Sequence, residues 1–428
     1  MKFEKFGIIV YILTFILGCG VSNYDRGVSF LGQEEFDTAI PYFEAAIDSG
    51  VNIADAHREL GITYYKKEMA QQAANHLRIA TKNGRKDSRA AFFLAVALEE
   101  NGDFDEALDA YRKFIKLNSS QSIGQDIRSR IVLVKGKKDN QFVQEAVTGE
   151  LGANSGKTLD NRIVAHYLEI TPGSADPVAL QKSLTSLLIS DLAKVDQVDV
   201  VRRSLLQKLI NMIDLDQDAV LNTKNIKRIG HLLRAKHVIS GKIEESSDGA
   251  FRLNLFLNKI DSNEVQQIST PEEEKNDLFE LQKTLVFSIL ESLNIQPVGA
   301  LKKALLKRET ESMSALILFG QGLDSVDRND YATAVKLLRD ALSEDPDFEL
   351  AKKVLNEAEA LEVARGQDLS LIETNVVRRI KSQSAIHDRF SHMDSALTRE
   401  FSPPTAADAT LEGDAPPPET SITIIVKQ

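Results

Sequence analysis

Between Gly27 and Tyr111 the pattern of small and bulky apolar positions repeats every 34 residues. Small residues stand at Gly27, Gly61 and Ala95, and a large apolar one follows three later at Phe30, Tyr64 and Leu98. Nine residues further come Ala39, Ala73 and Ala107, and four beyond those Phe43, Leu77 and Tyr111. This period predicts stacked helix pairs, with helices closing where small residues face and bulky ones filling the gaps. Asn101-Gly102-Asp103 supplies a turn between two such helices. After Asn118, Ile123, Ile127, Ile131 and Val134 recur at helical spacing, which predicts a longer amphipathic helix over 119–148 closing the stack.

The rhythm changes after a Gly/Asn/Ser/Lys linker at 149–160. Over 161–297 the chain alternates strand and helix patterns. Strands are predicted at 163–170, 198–201, 235–243, 251–260 and 265–269. Helices are predicted at 180–195, 204–213, 226–233 and 278–293. One mixed sheet with covering helices accounts for that order. Gly320, Gly322, Tyr331, Ala334, Leu338, Ala341 and Pro346 then repeat the first pattern once more within 301–364. This unit cannot bury both its faces alone, so it is expected on the middle domain or on a helix over 348–363. One further helix is expected at 369–382 in an otherwise largely disordered tail, 365–428. Ser402 to Thr420 is rich in Pro, Ala, Thr and acid, and Ser421 to Val426 ends the chain as a strand former. The fold expected is α+β multidomain: a helical solenoid over 19–118, a central mixed α/β domain, and repeat-like C-terminal helices.

The four columns over three periods resemble the tetratricopeptide repeat. That resemblance implies a concave groove lined by the first helix of each unit. Carried over by position, the groove residues are Tyr24, Val28, Asp55, Arg58, Ile62, Tyr65, Arg89, Phe92 and Val96. They imply aromatic anchors and a polar clamp for a partner protein or peptide, or equally for the chain's own later domain. In the middle domain, Ile229-Gly230, Leu233, the run Val238 to Ile243 and Asp248-Gly249 resemble the TolB amino-terminal-like domain and its curli-secretion (CsgG-type) relatives. There Gly241 is expected to let its strand pass tightly beside a helix, a structural role.

The N-terminus changes the picture of location. Lys2 and Lys5 precede a weakly polar-to-apolar run from Phe6 to Gly18, too short to span a bilayer. Ile16-Leu17-Gly18-Cys19 resembles a bacterial lipobox, which implies a signal peptide at 1–18 and lipid attachment at Cys19, the chain's single cysteine. Gly20 stands where an aspartate would signal inner-membrane retention, so the resemblance implies an outer membrane, facing the periplasm. Among 428 residues, 52 are Lys or Arg and 63 Asp or Glu, giving a net charge of −11 that disfavours nucleic acid as a partner.

Motifs for chemistry come close and fail. Gly152 to Thr158 imitates a phosphate loop, but only three residues separate its glycines where four are needed. Asp214, Asp216 and Asp218 open like a calcium loop, yet Ala219 and Asn225 replace the required Gly and Glu. The seven histidines show no paired metal-ligand spacing. No enzyme and no cofactor is expected. Two functional expectations stand: a membrane-anchored scaffold or adaptor binding other envelope proteins, and an oligomeric CsgG-like secretion component.

Overall fold

The computed structural model describes residues 21–50, 52–82, 86–117, 121–151, 158–170, 176–213, 222–245, 250–269, 273–274, 278–366 and 369–380. The signal segment with Cys19, the phosphate-loop and calcium-loop imitations (apart from Thr158 and Asn225) and the terminal strand former lie outside them.

Six helices run in pairs: α1 (Asn23–Gly32), α2 (Phe36–Asp48), α3 (Ile53–Lys66), α4 (Ala70–Ala80), α5 (Ser88–Asn101) and α6 (Phe104–Leu117). The repeating columns explain why. A Cβ on Gly27 would lie 2.7 Å from the Phe43 ring, and one on Gly61 would lie 2.6 Å from Leu77. Each small residue thus admits the bulky residue sixteen positions later, and Ala95 with Tyr111 keeps the same spacing. The expected closing helix is α7 (Gln121–Leu151). Its first half buries Ile123, Ile127, Ile131 and Val134, and its second half brings Val143 into the core of the next domain. One helix therefore belongs to both structures.

The middle domain holds β1 (Leu159–Ala165), β2 (Glu169–Ile170), α8 (Pro177–Leu192), β3 (Asp199–Val200), α9 (Arg203–Met212) and α10 (Thr223–Leu232). It continues with β4 (Ala235–Glu245), β5 (Ala250–Lys259), β6 (Val265–Ser269), β7 (Glu273–Glu274) and α11 (Leu278–Ser292). The sheet order is β3-β1-β4-β5-β6, with β2 on β4 and β7 on β5. β1 runs parallel to β3 and β4, whereas β4, β5 and β6 are antiparallel. Side chains alternate between two cores. Ile163, Ala165, Ile239, Leu253 and Leu255 face α8 and α11. Val164 and Val238 face α9, α10 and Val143.

Two expectations need correction here. The single strand predicted over 163–170 is split: Ala165 pairs with Ile239 but Glu169 with Lys242, four residues against three. The extra residue bulges the chain, and buried His166, Tyr167 and Leu168 fill the gap. Gly241 does admit a close neighbour, but the neighbour is a strand: a Cβ there would lie 2.2 Å from the Asn254 carbonyl oxygen of β5. Helix against strand is instead the task of Gly230 in α10, whose Cβ would lie 3.1 Å from Val238 of β4 and 2.6 Å from Ile260 just past β5.

The C-terminal helices are α12 (Gly299–Leu306), α13 (Met313–Asp327), α14 (Tyr331–Glu344) and α15 (Glu349–Gly366), and 369–380 is also helical. α13 and α14 keep the column spacing, with Gly322 against Leu338. As expected of a lone unit, they pack on the middle domain. A Cβ on Gly320 would lie 2.0 Å from the Ala179 carbonyl oxygen of α8, and Ser183 Oγ donates to the Leu316 carbonyl at 2.6 Å. Buried Lys182 of α8 pairs with Asp324 at 2.8 Å and Asp327 at 2.6 Å. Asp327 also accepts from Arg203 at 2.6 Å. α15 then packs along α7, so the end of the described fold returns to the solenoid. Val21 to Glu373 form one compact unit, and Thr374 begins a second.

Candidate functional site: the concave face of the N-terminal repeats

The nine groove residues lie in three rows. α1 supplies Tyr24 and Val28; α3 supplies Asp55, Arg58, Ile62 and Tyr65; α5 supplies Arg89, Phe92 and Val96. The accessibility of their aliphatic and phenyl members falls from the first row to the others, while Arg89 in the third stays 26% exposed at its side chain. Val28 is 40% exposed, whereas Ile62, Phe92 and Val96 retain 3%, 0% and 1%. Those three are packing residues in this structure. Phe92 sits 5.4 Å from the Phe93 ring and 5.5 Å from the Phe114 ring. The expectation that they line an accessible groove is corrected accordingly.

Arg58 does occupy the centre of the face, but as part of a closed charge network. Its guanidinium donates to Asp55 at 2.6 Å, Glu59 at 2.9 Å and Asp87 at 2.7 Å. A longer contact of 3.3 Å reaches the Tyr24 hydroxyl. Burial alone would favour the neutral base, yet the Glu59 and Asp87 carboxylates outweigh it and hold the Arg58 pKa above its ordinary value. Arg89 donates to the same Glu59 oxygen at 2.8 Å, so one carboxylate oxygen bridges the two guanidiniums. Asp87 has two tasks: one oxygen caps α5 by accepting from the Ala90 amide at 2.9 Å, and the other holds Arg58. Three carboxylates surround two guanidiniums, so this cluster offers no surplus positive charge for an incoming peptide carboxylate. Its role is to fix α3 against α5.

The third row is closed from the other end. Glu99 of α5 is buried and accepts from Arg130 at 2.6 and 2.9 Å, Lys137 at 2.8 Å and the Tyr111 hydroxyl at 2.8 Å. Burial pushes its pKa up, but Arg130 and Lys137 prevail and bring it below the usual range. The column itself could have revealed this residue, because Glu99 stands 34 positions after Tyr65. Tyr65 meets a partner that no local pattern reveals. Its hydroxyl donates to Glu373 at 3.5 Å, and neighbouring Lys66 forms an ion pair with the same carboxylate.

What remains open is the first row. Tyr24 is partly buried, 6.2 Å from the Phe43 ring, and burial followed by the nearby Glu59 carboxylate raises its hydroxyl pKa. Val28 on α1 and Val21, 62% exposed just before that helix, are the exposed apolar residues beside it. This row can take apolar side chains at its surface and has a tyrosine edge for orientation.

Residues 24–73 and 64–122 match the tetratricopeptide repeat family model. No curated protein matches the sequence. Among solved structures, the LpoB C-terminal domain from Salmonella enterica is 18% identical with a TM-score of 0.24, over 32% of this chain and 98% of that one. A tetratricopeptide repeat protein from Parabacteroides merdae is 12% identical with a TM-score of 0.25, over 79% of this chain and 97% of that one. The TPR2AB-domain:pHSP90 complex of yeast Sti1 is 12% identical with a TM-score of 0.24, over 80% of this chain and 97% of that one. The family-model match places tetratricopeptide repeats at residues 24–122.

Proposed function

We propose that the chain is a lipid-anchored scaffold or adaptor of the bacterial envelope, held by Cys19 at the outer membrane and binding a partner protein through the first row of its repeats. The observation that carries this reading is the repeat match over 24–122 together with exposed Val28 and half-buried Tyr24 on α1 and exposed Val21 just before it. The lipobox-like run ending in Cys19 supports the anchor and the compartment. The likeness of the middle sequence to TolB amino-terminal-like and CsgG-type domains supports an envelope role for that part too. A non-catalytic task fits the closed charge networks, which bind their own counterions and leave the cations of the face paired. The scaffold reading is preferred to a secretion channel because the apolar face of β4 and β5, the longest strands described, is covered by α8 and α11.

The test is capture of binding proteins from detergent-solubilised envelopes with wild type, Val28→Glu and Tyr24→Ala. A discrete partner lost from both variants, with unchanged circular dichroism, supports the reading; identical recovery contradicts it. Fatty-acid labelling that disappears in Cys19→Ala is the expected result for the anchor, and an unlabelled wild-type chain would refute it.

A further inference from the structure

The second row of the concave face already holds an occupant, and the occupant comes from this chain. Glu373, its side chain 13% exposed, receives the Tyr65 hydroxyl and pairs with Lys66. Lys66 Nζ lies 5.6 Å from the centre of the Tyr65 ring, so cation and hydroxyl form one two-donor cradle at the end of α3. The preceding Ile372 is 4% exposed, which gives the segment an apolar anchor beside its charge. α15, packed along α7, delivers residues 369–373 to this place.

We propose that the Tyr65–Lys66 cradle is a docking site for a helix presenting an aliphatic residue followed by a carboxylate, that Ile372-Glu373 fills it in cis, and that a partner of the same chemistry enters by displacing this segment. The inference rests on the reading of the repeats as a protein-binding face, and it adds the class of partner and its control. Two features make the cis contact a latch that can open. Lys66 is 39% exposed at its side chain, and a partly exposed ion pair contributes little net stability. Glu373 also closes beside like charge: the Glu100 pKa is raised by burial, then by Glu99 and Glu68, and Glu373 adds a smaller push that the Arg130 guanidinium opposes. What holds the latch is tethering, since a segment delivered by its own chain acts at an effective concentration of about millimolar. A competitor must exceed that or have the tethered segment removed.

The test uses the full chain and a fluorescent peptide of residues 367–382, read by anisotropy. Wild type should bind the peptide at least tenfold more weakly than the Ile372→Asp/Glu373→Ala double variant, whose cradle is vacated. Adding Lys66→Glu to that double variant should weaken binding at least tenfold, and a peptide carrying Glu373→Lys should recover it. Equal binding by wild type and double variant, binding by neither, or indifference to Lys66→Glu would each overturn the proposal. Should the double variant fail to fold, Glu373→Gln alone serves: amide exchange in residues 369–373 should accelerate at least threefold, and unchanged exchange would overturn the latch. The assay separates from the partner-capture test. Loss of the peptide effect leaves the first row standing, and absence of an envelope partner leaves the cis contact measurable.

Discussion

His166 is fully buried at the bulge between β1 and β2, with Nδ1 3.2 Å from the Tyr167 carbonyl oxygen and Nε2 without a hydrogen-bond partner among the described residues. Desolvation lowers its pKa from 6.5 to about 4, the Tyr167 carbonyl opposing only in part. The unfolded chain therefore binds a proton below about pH 6.5 that the folded chain refuses until about pH 4. Stability should be level above the first value, fall by about 3 kcal/mol across the window, and level off again as far as this group is concerned. Urea titrations from pH 7.5 to 4 check this; His166→Leu should remove that part of the slope, and an unaltered slope would assign it elsewhere. Arg58 is the second informative residue. Because it neutralises carboxylates within the fold, Arg58→Met should cost about 2 kcal/mol of stability, measured by chemical denaturation. A variant as stable as wild type would show that the network contributes nothing net.

At the scale of elements, close packing supplies the sharpest expectations. Gly320 touches the backbone of α8 so tightly that a methyl group has no space without separating two helices. Gly320→Ala should destabilise the chain by about 3 kcal/mol and make the α13–α14 pair accessible to protease; resistance equal to wild type would contradict this packing. Most of these elements were legible in the sequence for local reasons. The 34-residue columns encode a helix-pair geometry that repeats, so α1 to α6 and the α13–α14 pair could be read from Gly27, Gly61 and Gly322 with their bulky counterparts. Alternation of Leu253, Leu255 and Leu257 exposed β5 in the same way. The bulge after Ala165 was not legible, because it depends on a register with β4 that lies over 70 residues away. α12 was missed because Leu305 is its one buried residue, too few for a periodic signal. The nine residues expected in the groove lie on the first helix of each pair, yet what surrounds Glu99 and Tyr65 comes from α7 and Glu373, which periodicity within the repeats cannot report.

For the whole molecule, one continuous helix joins repeats to sheet, and the C-terminal helices lead back to the repeats. The solenoid is consequently closed at its third row, latched at its second and open at its first. In the function proposed above, that gradient assigns partner binding to α1, adjacent to the end that Cys19 would tether. A photo-reactive amino acid at Val28, with Ile79 on α4 as an equally exposed control position at 41%, tests this most directly in intact cells. The account predicts a discrete cross-linked protein species from position 28 that is absent from position 79. No adduct at position 28, or the same adducts from both positions, would contradict it.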